Sequence, residues 1–344
     1  MKYTVNLNEK SYTVFIDELE KIKLDTKVAV VTNPTVSALH LETLLSKIDA
    51  KECHVITVPD GEKYKHFDTL NQILEECFEF RLDRKSVLIA LGGGVIGDMT
   101  GFAASVYQRG IEFIQVPTTL LAQVDASVGG KTGINNKYGK NLVGTFWQPS
   151  AVYCETAFLK TLPKREFSAG VAEIVKMAVT FDKDFFKWLE NNSLHVEENL
   201  QYAIRECVKI KADVVSRDER EEGIRAVLNY GHTFGHVIEN ETKYSKYLHG
   251  EAVAIGIVMA NKLAKKLDLF TNNDCERVEK LLCDYDLPIT YKIDSIEKFY
   301  DTFYLDKKSF NHKIKFILPK FIGGYEIRDN IGKEMLLKVL SDFV

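Results

Sequence analysis

Two histidines stand four residues apart in the segment LNYGHTFGHVIE, at His232 and His236, and a third, His249, opens HGEAVAIG. Upstream, in AGVAEIVKMAVT, Glu173 and Lys176 are three positions apart among Val171, Ala172, Ile174, Val175, Met177 and Ala178. That spacing puts the acid and the base on one helix face. Charges on a buried helix are costly unless they are paired or bind metal. Glu173 with two of the three histidines would make an oxygen and nitrogen ligand set with one position open, the form of a catalytic zinc site. Spacing does not choose the two. His232 and His236 have the separation of a zincin helix, but Thr233 stands where a zincin carries Glu. If a helix begins as early as Arg225, then Arg225, Asn229, His232, His236 and Glu239 form one polar stripe on it. The plain alternatives are a structural Glu173–Lys176 pair and core histidines with hydrogen-bond partners.

A second group of residues suits anions. In SVLIALGGGVIGDMTGF, Gly92, Gly94 and Gly97 fit G-x-G-x-x-G between a strand and a helix start. Glycines there admit a pyrophosphate, and the helix N-terminus favours its charge. The acidic residue expected about twenty positions on is missing, because the next strand ends in Val116-Pro117-Thr118-Thr119. The pattern therefore points to a nucleotide or phosphate site of non-standard form, with Asp98, Thr118 and Thr119 as polar contacts. PDGEKYK places Asp60, Glu62, Lys63 and Lys65 after a strand, and alone it reads as a charged exposed loop. QVDASVGGKTGINNKYGKNLVG sets Asp125 among small residues, then Lys131, Lys137 and Lys140 on a glycine-rich loop. Lysines there suit phosphate or carboxylate; a solvated loop is the plain alternative. In AIRECVKIKADVV, Lys211 falls on the apolar stripe of Ile204, Cys207, Val208 and Val215. It either meets an anion or snorkels to the surface.

The elements that must hold these groups change character along the chain. YTVNL, VAVVTN, HVITVPD, SVLIALGGG and FIQVPTT read as strands, with the helical patterns SALHLETLLSKI and FDTLNQILEECFEF between them. Alternation with wholly apolar strands implies a parallel sheet covered on both faces, and ligands bind at the carboxyl ends of such strands. After about residue 155 helical periodicity dominates until IKFILP. The expectation is an α/β domain over 1–155 with a parallel nucleotide-binding sheet, and a mostly α-helical metal- and substrate-binding domain over 156–344. A cleft between them is the default ligand site.

Bulk properties narrow the class. The chain has 344 residues, 45% hydrophobic and 27% charged, with a formal net charge of −4. That composition is of a globular protein, and the charge gives no global case for nucleic acid or a membrane surface. No apolar run reaches transmembrane length and the N-terminus lacks a signal-peptide run. None of the six cysteines is at CxxC spacing, so a reducing cytoplasm is expected.

Taken together, GGGVIGDMTGF, VPTTLLAQVDASVGGKTGIN, GKNLVGTFWQP, AGVAEIVK, RAVLNYGHTFGHVIE and HGEAVAIG resemble the 3-dehydroquinate synthases, in order and spacing, from about Asn33 to Lys308. The resemblance implies an N-terminal α/β nucleotide-binding domain, a helical C-terminal domain and a homodimer. It implies metal ligands at Glu173, His232 and His249, with zinc or cobalt bound, and leaves His236 as a site histidine off the metal. It implies NAD contacts at Asn33, Glu62, Lys65, Gly93, Gly94, Asp98, Thr118, Thr119 and Lys140. Its substrate contacts fall on Asp125, Lys131, Asn141, Lys176, Lys211, Arg225, Asn229, His236 and, in LDKKS, Lys307 rather than Lys308. Arg109 resembles the arginine that reaches the neighbouring subunit's site.

The reaction so implied converts 3-deoxy-D-arabino-heptulosonate 7-phosphate, an anionic sugar phosphate, to 3-dehydroquinate and phosphate. Transient oxidation by NAD at the C5 hydroxyl acidifies the adjacent C–H and phosphate is eliminated. Hydride returns, the ring opens, and an aldol step closes the carbocycle. Lys131, Lys176, Lys211, Arg225 and Lys307 suit a substrate with carboxylate and phosphate. His236 and Glu221 are the implied proton-relay groups, with the substrate phosphate as the alternative base, and Lys131 and Lys176 are counted with the catalytic set. Competing readings are another NAD- and metal-dependent sugar-phosphate cyclase, a metal-dependent polyol dehydrogenase with NADH as net product, and a non-catalytic NAD-binding regulator, which has no need of a metal triad and a lysine set.

Overall fold

The computed structural model describes residues 1–306 and 314–344. The chain divides into two compact units: Met1–Pro163 with Lys211–Arg220, and Lys164–Ile210 with Glu221–Val344. The first unit holds strands β1 (Lys2–Val5), β2 (Tyr12–Asp17), β3 (Ile22–Thr32), β4 (Ile48–Thr57), β5 (Val87–Gly92), β6 (Glu112–Pro117), β7 (Lys131–Asn136), β8 (Gly139–Phe146) and β9 (Ala151–Glu155). Its helices are α1 (Pro34–Leu45), α2 (Phe67–Glu79) and α3 (Gly94–Val106).

Seven strands form one sheet in the order β1-β2-β9-β6-β5-β3-β4. Only the β1–β2 pair in it is antiparallel. The order reverses between β3 and β5: β3 leads to its neighbour β4 on one side, and β5 returns on the other. Such a switch point opens a crevice at the strand carboxyl ends, here carrying Asn33 after β3 and Gly93 after β5. The strands read as unbroken apolar runs because both faces are covered. Ala29, Val31, Leu88, Ala90 and Phe113 pack into one core with residues of α2 and α3. Their neighbours Val28, Val30, Ile89, Leu91 and Ile114 pack into the other, as a period of two requires. Truncating one of these, Leu88→Ala for instance, costs about 2–5 kcal/mol.

The second unit is helical: α4 (Lys164–Phe181), α5 (Lys183–Leu189), α6 (Glu197–Arg217), α7 (His232–Glu241), α8 (His249–Lys266), α9 (Asn272–Cys283), α10 (Ile296–Asp306) and α11 (Lys333–Leu340), with a β10 (Phe316–Pro319) and β11 (Tyr325–Arg328) hairpin. The end of α6, from Lys211, groups with the first unit. Helix α8 lies against both α4 and α7, and glycines permit the approach. A Cβ at Gly250 would stand 2.0 Å from the Ala169 carbonyl oxygen of α4, and one at Gly256 2.0 Å from the carbonyl oxygen of Gly231, which caps α7. No helix among the described residues is long and apolar enough to cross a membrane.

Two segments differ from the sequence reading. The glycine-rich stretch with Lys131, Lys137 and Lys140 is a hairpin of β7 and β8, not a loop. Its glycines serve close strand approach, since a Cβ at Gly144 would meet the Thr132 carbonyl oxygen at 2.0 Å. They interrupt the alternation that marks a strand. Nor does one helix run from Arg225 to Glu239. A 3-10 turn spans Ile224–Asn229, and Gly231 at φ 81° breaks the chain before α7 begins at His232.

Candidate metal and nucleotide sites

In the second unit, α4 contributes Glu173, the first turn of α7 His232, and the first residue of α8 His249. One ligand atom from each lies within 4.8 Å of the others. His232 Nδ1 is 3.2 Å from the Tyr230 carbonyl oxygen. A carbonyl only accepts, so Nδ1–H donates and the Nε2 lone pair is left for a ligand. Burial, then the charges of Lys176, His249 and His236, hold the His232 imidazole well below its ordinary value, so it is neutral, the form that ligates metal. His249 places Nε2 3.7 Å from Glu173 Oε1 and Nδ1 3.5 Å from Glu239 Oε1. The His236 ring centroid lies 5.5 Å from that of His232 and 6.2 Å from that of His249.

Glu173 and Lys176 are each 1% exposed and form an ion pair through Glu173 Oε2. The structural pair and a ligand role are therefore compatible: one carboxylate oxygen faces Lys176 and the other faces His249. A buried pair returns little net stability after desolvation, so its presence beside two imidazoles speaks for a site. The donor set of one carboxylate and two imidazoles suits zinc or cobalt. Arg225 is 2% exposed. Asn229 donates from Nδ2 to the Glu221 carboxylate, and Glu221 itself sits in the left-handed region at φ 64°.

In the first unit the anion-binding candidates gather around the carboxyl ends of β3, β5 and β6. Asn33 caps α1, accepting from the Val36 N–H at 2.9 Å, and donates to Asp60 at 3.0 Å. Gly93 precedes α3, and a Cβ on it would meet Thr119 Cγ2 at 3.0 Å. The Thr118 N–H donates to the Gly92 carbonyl at 3.0 Å, and Thr119 Oγ1 accepts from the Ala122 N–H. Gly92 and Gly97 serve packing instead: added Cβ atoms would strike Ile96 at 2.7 Å and Gln115 at 2.5 Å. Gly93 and Gly94, half-buried, present backbone at the helix N-terminus. Lys65, 4% exposed, donates to Asp98 and Asn141, each at 2.6 Å. Burial raises the Asp98 carboxyl above its ordinary value, and the Lys65 ammonium opposes the rise.

Lys211 is buried and donates to both the carboxylate and the carbonyl oxygen of Asp125, so its polar partner is in place. Lys131 begins β7 and is exposed; Lys140 lies on β8. Arg109 follows α3 at φ 70°, after Gln108 at φ 50°, a turn costly for side chains with a Cβ. Lys307 lies outside the described residues. Two participants are not legible in sequence. Glu239 stands out there only as part of a stripe, yet it faces His249. Asn135 carries no sequence signal, yet its Nδ2 donates to Glu62 at 2.7 Å.

The comparisons fit this geometry. The 3-dehydroquinate synthase N-terminal profile matches residues 55–169 and the 3-dehydroquinate synthase C-terminal profile residues 170–309. A 3-dehydroquinate synthase from a Nitratiruptor species is 62% identical over 335 residues, 97% of this chain and 96% of its own. One from Campylobacter fetus subsp. fetus (strain 82-40) is 60% identical over the full length of both. Among solved structures, 2-epi-5-epi-valiolone synthase from Streptomyces hygroscopicus subsp. jinggangensis 5008, with NAD+ and Zn2+ bound, superposes with a TM-score of 0.89 at 26% identity over 98% of each chain. With both profiles matched and whole-length identity near 60%, the chain belongs to the 3-dehydroquinate synthase family.

Proposed function

We propose that the protein converts 3-deoxy-D-arabino-heptulosonate 7-phosphate to 3-dehydroquinate and inorganic phosphate. The observation that carries the reading is the donor set of buried Glu173, His232 and half-buried His249, with Lys176 beside it. When bound, NAD supplies a hydride acceptor that is regenerated within each turnover. A divalent metal, zinc or cobalt, held by Glu173 and the His232 and His249 imidazoles, supplies Lewis-acid polarisation of substrate oxygens. Asn33, Glu62, Lys65, Gly93, Gly94, Asp98, Thr118, Thr119 and Lys140 are the nucleotide contacts.

The chain's own residues then bind, orient and move protons. Lys131, Lys176, Lys211, Arg225 and Lys307 meet the carboxylate and phosphate, for which ammonium and guanidinium groups suffice. Asp125, Asn141 and Asn229 orient hydroxyls. The Glu221–Asn229 contact fixes one such amide, and Glu221 with His236 serves proton transfer. Arg109 serves the site of a second copy in a homodimer. The six free thiols suit a reducing cytoplasm.

Incubating the protein and metal with the heptulosonate phosphate and substoichiometric NAD tests this. The expected result is many equivalents of phosphate per NAD and no net absorbance of NADH. Steady NADH from a polyol with no phosphate released moves the reading to a dehydrogenase. Activity on a different sugar phosphate alone moves it to a sister cyclase.

A further inference from the structure

We infer that Asn135 is a positioning residue for the nucleotide site, acting through Glu62; this rests on the nucleotide reading above. The β7–β8 ladder shifts register between Ile134 and Asn136. The step is two residues, with Lys140, Asn141 and Leu142 of β8 set opposite Asn135 alone, so Asn135 has no register partner across the hairpin. Freed from strand pairing, its N–H donates to the Lys65 carbonyl at 2.7 Å. Its Nδ2 donates to Glu62 Oε1 at 2.7 Å. Its Oδ1 accepts from the Asn141 N–H at 2.9 Å. One residue thus holds the turn bearing Glu62 and Lys65, while Asn141 returns a second tie by accepting from Lys65 Nζ at 2.6 Å.

The chemistry specifies an amide. The group must donate to a carboxylate and accept from a backbone N–H at once, which an amide of this length does. A carboxylate in its place keeps the second bond and sets two negative charges against each other in the first. Held this way, Glu62 has one carboxylate oxygen committed and the other available to accept from a ribose hydroxyl, in a rotamer fixed before the nucleotide arrives. Preorganisation of that kind lowers the ordering cost of binding. The plain alternative is that Asn135 only stabilises the hairpin, in which case its loss should affect melting and leave nucleotide affinity alone.

The test is equilibrium NAD binding by calorimetry on the full-length chain, for wild type, Asn135→Ala, Asn135→Asp, Glu62→Ala and the Asn135→Ala/Glu62→Ala double variant. Asn135→Ala should raise the Kd about tenfold, the loss expected when a hydrogen bond to a charged group goes. Asn135→Asp, isosteric and still able to bond Asn141, should do at least as much, and it keeps the test available if the alanine variant folds poorly. The double variant should bind within about twofold of Glu62→Ala, because a residue acting through Glu62 adds nothing once Glu62 is gone. Wild-type binding with both Asn135 variants unchanged overturns the inference, as does a further tenfold loss in the double variant. A wild-type chain that binds no NAD instead overturns the nucleotide reading, and the inference falls with it.

Discussion

Gly256→Ala is a direct way to ask whether helix packing sets the metal geometry. By intrinsic propensity the change should help, since Ala in a helix interior is favoured over Gly by about 1 kcal/mol. The structure opposes it. The new Cβ would lie 2.0 Å from the Gly231 carbonyl oxygen and 2.8 Å from the Gly235 nitrogen. Both are backbone atoms of the α7 start, so no rotamer change relieves the contact. Helices α7 and α8 must part by more than an ångström. Overpacking of this kind costs about 1–3 kcal/mol, occasionally more, which exceeds the propensity gain. Taking about 2 kcal/mol net, the melting temperature of the metal-free protein should fall by about 3 °C, at about 2.1 cal/mol/K of unfolding entropy per residue. The same separation moves His232, next to Gly231, away from His249 on α8. Metal affinity, measured by chelator competition, should fall by at least about tenfold, since site geometry must be held to about half an ångström. Gly332→Ala is the control: its Cβ would meet nothing within 4 Å, and it should cost less than about 1 kcal/mol. An unchanged or raised melting temperature in Gly256→Ala, with wild-type metal affinity, would refute the packing argument.

Three further outcomes are expected. Alanine at Glu173, His232 or His249 should abolish tight binding of one divalent ion per chain, read by metal analysis after dialysis, while His236→Ala largely spares it; equal loss in His236→Ala would make the i, i+4 pair the ligand set. Burial pushes the Cys77 thiol up to about 12 and Cys275 to about 11, so at pH 8 the Cys77 thiolate is about one part in ten thousand; a disulfide reagent should titrate the exposed Cys53 and Cys283 first and the buried thiols only on unfolding. Mixed Arg109→Ala and Lys131→Ala chains, each weak alone, should regain activity if Arg109 serves a second copy; verified subunit exchange with no recovery would place the arginine in cis.

What the sequence discloses and what it withholds divide along one physical line. Strands β3 to β6 are legible because a two-sided sheet forces unbroken apolar runs, and Glu173–Lys176 is legible because two charges on an otherwise apolar helix need a reason. Both signals are local. The choice among three histidines is not local. It depends on the break at Gly231, which sets where α7 begins, and on the Gly250 and Gly256 contacts, which set where α8 lies against α4 and α7. Periodicity cannot report a contact between a glycine and a distant carbonyl. The hairpin β7–β8 is hidden for a related reason, because glycines that let strands approach closely look in sequence like glycines that loosen a loop. Strand β9, which pairs with β2, is a short stretch just after Pro149 and Ser150, where the apolar run is too brief to stand out. Asn135 is the extreme case. Its neighbours in sequence give no hint of function, and its three hydrogen bonds depend on a two-residue register shift that leaves it without a partner in the ladder. Asn135→Ala and Gly256→Ala therefore probe what spacing cannot: placement of one element against another, read out at a nucleotide in the first case and at a metal in the second.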